Sequence, residues 1–106
     1  MKTLHLILKK KWFDMIISGE KKEEYRDLTN HWRSRLLDNT GNYKNFDTIT
    51  FTNGYAKTAP RFIIEFQGIY EGFGVESWGA SPNKSYYVIQ LGDILAVSRS
   101  GRTNDK

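Results

Sequence analysis

The sequence predicts an α+β chain that is mainly β, a small, mostly antiparallel β-barrel with two short helices near the N-terminus. Three observations lead there. Five or six short segments alternate apolar and polar residues with the period of two that a half-buried strand requires. Helical spacing occurs in two brief stretches only, both within the first 37 residues. Strands and long helices do not alternate, so a doubly wound parallel sheet is not expected. The 106 residues, 39% of them hydrophobic, suit a single compact domain. That domain is expected over residues 1–97, with a disordered tail over 98–106.

The elements follow in order. Leu4, Leu6 and Leu8 alternate with His5 and Ile7, which predicts a first strand. Lys9-Lys10-Lys11 interrupts it, and Trp12 to Ser18 reads as a short amphipathic helix. Gly19 is its natural stop, because glycine takes the left-handed conformation without Cβ strain. Lys21 to Asp27 reads as a strand with Glu24 and Arg26 on one face and Glu23, Tyr25 and Asp27 on the other. Thr29 or Asn30 can cap a second helix, His31 to Leu37, with Trp32, Leu36 and Leu37 toward the core. A polar loop follows to Asn45. Asp47 to Thr52 alternates with Ile49 and Phe51 inward. Asn53-Gly54 signals a turn. Arg61 to Tyr70 is the longest strand, with Phe62, Ile64 and Phe66 on one face and Ile63, Glu65, Gln67 and Ile69 on the other. Glu71 to Asn83 reads as a long loop or distorted hairpin. Tyr86 to Leu91 is a strand, Gly92-Asp93 turns the chain, and Ile94 to Val97 forms a last short apolar element.

Composition narrows the function. There is no cysteine, which removes disulfides, thiolate nucleophiles and cysteine-bound zinc. Only His5 and His31 are present, so no metal and no cofactor are expected. No apolar run reaches membrane-spanning length and no signal-peptide pattern opens the chain, so a soluble cytoplasmic protein without a membrane partner is expected. The net charge of +4 is unevenly placed. Residues 1–35 hold nine Lys/Arg against five Asp/Glu, and the remainder holds seven of each. A positive field confined to the first third favours an anionic partner, phosphate above all, or is simply a solvated surface.

The chemistry concentrates in Gly19-Glu20-Lys21-Lys22-Glu23-Glu24-Tyr25-Arg26, which fits G-x-K-x-x-E-x-R. Placed after a strand and a short helix, this motif resembles the signature of the ASCH domain, a family of the PUA-like β-barrel superfamily. Leu6-Ile7-Leu8-Lys9 with Lys11-Trp12-Phe13 resembles the family's opening strand and helix start. Phe51-Thr52-Asn53-Gly54-Tyr55, Trp78-Gly79-Ala80 and Tyr87-Val88-Ile89-Gln90-Leu91-Gly92 look like later blocks of its small prokaryotic and phage members. These blocks span most of Leu4 to Leu95. The resemblance implies a barrel with a cleft beside the motif that binds RNA or a modified nucleoside or nucleotide. One small bacterial branch removes acyl groups from N4-acylated cytidine nucleosides with a motif lysine, a nearby threonine and a later glutamate. Lys21 matches that lysine. Glu24 stands where the branch has threonine, and Glu65 or Glu71 is the candidate for the later glutamate. Other relatives act as ribonucleases through residues that have no match here.

Each candidate residue also has a plain structural reading. Lys21 can be a nucleophile if burial or neighbouring cations depress its pKa, a clamp for a ligand, or a partner of Glu24 only. Residues three apart on an ideal strand face opposite ways, so Lys21 and Glu24 meet only if Lys21 lies in the turn after Gly19 or a bulge re-aims it. Glu24 and Arg26 converge without help. Lys9, Lys11 and Arg26 would meet phosphate or base. Trp12 can stack on a base or fill the core. Tyr55, just after a turn, is the better stacking candidate, and the Asn53 amide can read a base edge or shape the turn. The leading reading is therefore a binder of RNA or a modified nucleotide. An amidohydrolase with Lys21 and Glu24 catalytic is the alternative, and a non-catalytic protein-interaction module is the third. Oligomeric state is left open.

Overall fold

The structure is a computed structural model that describes residues 1–98. Of the tail expected over 98–106, Ser98 ends a strand and the rest lies outside the described residues. Among the described residues there are five strands and two α-helices: β1 (Thr3–Leu8), α1 (Lys10–Ile17), β2 (Glu23–Arg26), α2 (Asn30–Leu36), β3 (Thr48–Asn53), β4 (Arg61–Phe73) and β5 (Ser85–Ser98). A single 3-10 turn, Glu76–Trp78, interrupts the loop between β4 and β5. None of these helices is long and apolar enough to cross a membrane.

The strands form one mixed sheet in the order β1-β3-β4-β5-β2. Three neighbouring pairs are antiparallel, while β1 and β3 run parallel. The expected barrel is not closed. Its would-be seam lies between the edge strands β1 and β2, and side chains bridge it in place of a backbone ladder. Arg26 Nη2 donates to Ile7 O at 3.0 Å, and Arg35 Nη2 of α2 donates to His5 O at 2.9 Å. These guanidinium groups take the β1 carbonyls that a paired strand would otherwise use, which also blunts an exposed sheet edge.

One face of the curved sheet carries the core. Leu4, Leu6 and Leu8, Ile49 and Phe51, Phe62 and Ile64, and Tyr87, Ile89 and Leu91 all point inward as their alternation predicts. Phe13 and Ile16 of α1 and Leu36 and Leu37 close over them, with the Phe13 and Phe62 rings edge to face at 4.9 Å. A smaller cluster of Ala80, Tyr86 and Val88, with Tyr25 against it, covers the outer face of β5. The middle of β5 is therefore buried on both sides, which is why it reads as a continuous apolar run.

Two sequence expectations are corrected here. Gly92-Asp93 does not turn the chain, and Ile94 to Val97 continues the same strand. The β4–β5 register shifts at this point, and Asp93 N–H is capped by Glu65 Oε1 at 2.9 Å. A Cβ on Gly92 would lie 2.6 Å from Gln67 Nε2 and 2.9 Å from Glu65 Cβ, so the glycine admits a bulge rather than a turn. The second correction is Ile69. The register shift between Phe66 and Gly68 reverses the inward–outward parity, so Ile69 pairs with Ile89 and packs on the core.

Ile89 is fully buried at the centre of this arrangement, whereas Leu95 keeps 55% exposure. Replacing Ile89 with Ala is expected to lower unfolding stability by about 2–5 kcal/mol in urea titration. Leu95→Ala should change it by no more than about 0.5 kcal/mol.

Candidate functional site

A cleft of about 470 Å³ occupies the unclosed seam. Ile7, Leu8 and Lys9 form one side and Glu24, Tyr25, Arg26 and Asp27 the other, with Trp12 and Trp32 as walls. Local sequence explains the placement. Lys9 follows β1 at the N-cap position of α1, makes no side-chain cap bond, and stands exposed at the mouth. Trp12 sits one turn into α1, with Phe13 and Ile16 committed to the core. Thr29 caps α2 through its side chain, which accepts from Trp32 N–H and fixes the first turn that carries Trp32.

The floor is a charged triad. Glu24 Oε2 accepts from Arg26 Nη2 at 2.8 Å, and Glu24 Oε1 lies 3.3 Å from Lys21 Nζ. The β2–β5 pairing sets Glu24 opposite Ile89 and Arg26 opposite Tyr87, so both point to the core side. Lys21 reaches Glu24 from the turn. Gly19 has φ 87°, and Lys21 N–H donates to Met15 O at 2.9 Å, which places Lys21 before the strand begins. The geometric obstacle to a Lys21–Glu24 contact is removed in this way.

Lys21 is 2% exposed. Its ammonium donates to Trp78 O at 2.6 Å and lies 4.6 Å from the Tyr25 ring centroid and 5.3 Å from that of Trp12. Burial pushes its pKa below the ordinary lysine value, and Glu24 opposes the shift. The Trp78–Gly79 segment thus lies over Lys21. Gly79 has φ 109°, and a Cβ there would come 3.1 Å from the Trp12 ring, so only glycine lets the loop settle this closely. The same loop is pinned at its start, where Val75 N–H donates to the Tyr25 hydroxyl at 2.9 Å. That hydroxyl in turn donates to Glu23 Oε1 at 2.7 Å, and burial raises its pKa.

Arg26 faces the Trp32 ring at 4.7 Å and Arg35 lies 5.3 Å from it, so the indole packs against guanidinium groups that also bind β1. Arg26 Nε is buried without a hydrogen-bond acceptor among the described residues. An unmet buried donor costs about 1–3 kcal/mol. The lining holds two cations, Lys9 and Arg26, and two anions, Glu24 and Asp27. Asp27 is paired with Lys84 at 3.0 Å and Glu24 with the triad. The positive excess in the first third of the chain is therefore partly consumed inside the fold.

Of the residues singled out by sequence, Lys9, Trp12, Glu24 and Arg26 line the cleft, and Lys21 lies beneath it. Lys11 is exposed on α1 with its ammonium 4.7 Å from the Trp12 ring. Asn53 and Tyr55 lie outside the lining. Asn53 borders a separate small pocket with Lys10 and Phe13, and Tyr55 is 89% exposed. Glu65 caps Asp93, and Glu71 stands opposite Tyr87 on β5; the acids that act on Lys21 are Glu24 and Glu23. Trp32, expected toward the core, packs against it partly buried and also forms a wall of the cleft. The signal available was Arg35, three residues on along the same helical face. The cover over Lys21 left no local trace. Among the described residues, no group of three or more His, Asp or Glu is placed to hold a metal ion.

Comparison of the chain with protein-family models, with curated proteins and with solved structures finds no match.

Two outcomes test the triad. Glu24→Gln leaves two buried cations without their anion and is expected to cost about 3–5 kcal/mol in urea unfolding. The buried ammonium predicts the second. The folded pKa of Lys21 lies below the 10.5 of the free side chain, so between the two values the unfolded chain holds more protons and stability rises with pH. The stability of the wild type relative to Lys21→Met should therefore improve as pH is raised toward 10.5. A difference that stays flat across that range would mean that burial does not disfavour the charge.

Proposed function

We propose that the chain is an ASCH-type domain that binds RNA or a modified nucleotide in the cleft between β1 and β2. The observation that carries this reading is the Glu24–Arg26 pair set between Trp12 and Trp32, with Lys9 at the mouth. Indole walls offer stacking for a planar group, worth on the order of 1–3 kcal/mol per base in single-strand binders. Each Glu24 oxygen has a second lone pair that can accept an amino group on a base edge. Lys9 and Lys11 stand where a phosphate would leave the cleft. Because the lining is charge-balanced, the base rather than the phosphate supplies most of the recognition.

A second reading is amide cleavage on an N4-acylated cytidine. The buried Lys21 with its lowered pKa favours it. Against it, the ammonium is held by Glu24 and Trp78 O and covered by the loop, so an acyl group reaches it only after that segment moves.

Anisotropy titration with labelled single-stranded RNA is the direct test. Affinity should fall as salt is raised, and Trp12→Ala should weaken binding about tenfold, from the stacking lost. Absent or salt-independent binding would count against the reading. Incubation with a panel of N4-acylated cytidines, followed by chromatography for free cytidine, separates the alternative. Turnover that disappears in Lys21→Ala would make the protein a hydrolase.

A further inference from the structure

The cleft is not the only concave surface that α2 borders. On its other side lies a groove of about 550 Å³ whose lining includes Asn30, Arg33, Ser34, Asp38, Asn39 and Lys44. Trp32 belongs to the cleft and Arg33 to the groove. Consecutive helical residues point about 100° apart, so α2 is a ridge between the two.

The chemistry of the groove differs from that of the cleft. Among the described residues, neither Arg33 nor Lys44 is ion-paired. Lys44 Nζ donates one bond, to Ser34 O at 3.2 Å, which leaves two protons to offer. The groove's acid is engaged elsewhere. Asp38 Oδ1 accepts from Thr40 N–H at 2.9 Å, from Thr40 Oγ1 at 2.6 Å and from Asn42 N–H at 3.1 Å. These bonds turn its charge into its own loop and hold its pKa below the usual carboxylate value. Two available cations with the amides of Asn30 and Asn39 suit a phosphodiester, whereas the balanced, indole-walled cleft suits a base.

We infer that cleft and groove act together, and that the ligand is single-stranded RNA of several nucleotides laid across α2, with a base in the cleft and a neighbouring backbone phosphate on Arg33 and Lys44. This rests on the cleft reading. A helix with its side chains is about 10–12 Å across, a distance that calls for a second nucleotide rather than the phosphate of the bound base. A chain of about four or more nucleotides is the usual extent of a single-strand site on one small domain.

The test compares a labelled mixed-sequence RNA octamer with the four nucleoside monophosphates over 0.05–0.2 M salt, roughly the range in which phosphate contacts are read out. The octamer should bind more tightly than any monophosphate. In Arg33→Gln/Lys44→Gln, octamer affinity should fall on the order of tenfold, and the slope of log K against log salt should flatten by about 0.7, the value for one phosphate no longer neutralised on a single strand. Lys57→Gln, a cation removed from an exposed loop, should change neither. Octamer binding no tighter than monophosphate binding, or an unchanged slope in the double variant, overturns the inference and leaves the cleft reading intact. Failure of both ligands to bind overturns both. An octamer weakened by the groove variant but not by Trp12→Ala overturns the coupling of groove to cleft and, with it, the cleft reading.

Discussion

The Glu24 carboxylate is the constraint on which the rest of the seam depends. It is one buried anion held between two cations, and each cation continues outward to a different part of the chain. Arg26 goes on to Ile7 O and the Trp32 ring, which ties β2 to β1 and to α2. Lys21 goes on to Trp78 O, which ties β2 to the loop between β4 and β5. Burying three charges costs several kcal/mol for each ion, and the triad retains a net positive charge. That excess is met by two backbone carbonyls and by the faces of Trp12, Tyr25 and Trp32. Carbonyls and indoles thus do here what solvent does for a surface lysine.

This arrangement also explains why the sheet stops short of a barrel. A closed barrel would need the β2 backbone to pair with β1. Instead β2 spans four residues, and the guanidinium of Arg26 covers the remaining distance. The gap that results is a cleft with charged and aromatic sides, whereas a ladder of backbone hydrogen bonds would have sealed it. Openness at the seam and the polar triad are one structural fact, since a shorter side chain at 26 could not bridge the two edges.

Much of the fold was legible because it is local. The alternation of Leu4, Leu6 and Leu8 and of Ile49 and Phe51, the Gly19 stop and the Thr29 cap all act within a few residues. The convergence of Lys21 and Glu24 was legible as a condition: it required Lys21 to lie in the turn, and it does. What stayed hidden depends on partners distant in sequence. Gly92-Asp93 looks like a turn until Glu65, 28 positions earlier, caps the Asp93 amide and makes it a bulge. Ile69 changes face because of a register shift that no apolar pattern records. The charge excess of residues 1–35 was read as a surface field, yet two of its cations are spent on an interior anion.

Position 24 decides what Lys21 can do. With a carboxylate there, Glu24 favours the ammonium form of Lys21 and works against the burial that disfavours it. A threonine at this position would supply a hydroxyl but no charge. Lys21 would then keep the full desolvation penalty and lose the main opposing influence, so its pKa would fall further toward neutrality. Arg26 would lose its anion as well and would press on the lysine from the same side, in the same direction. The same scaffold therefore favours the neutral amine more with threonine and the charged form more with glutamate. This chain carries glutamate, and the loop that closes over Lys21 adds the Trp78 carbonyl as a second acceptor that favours the charged form.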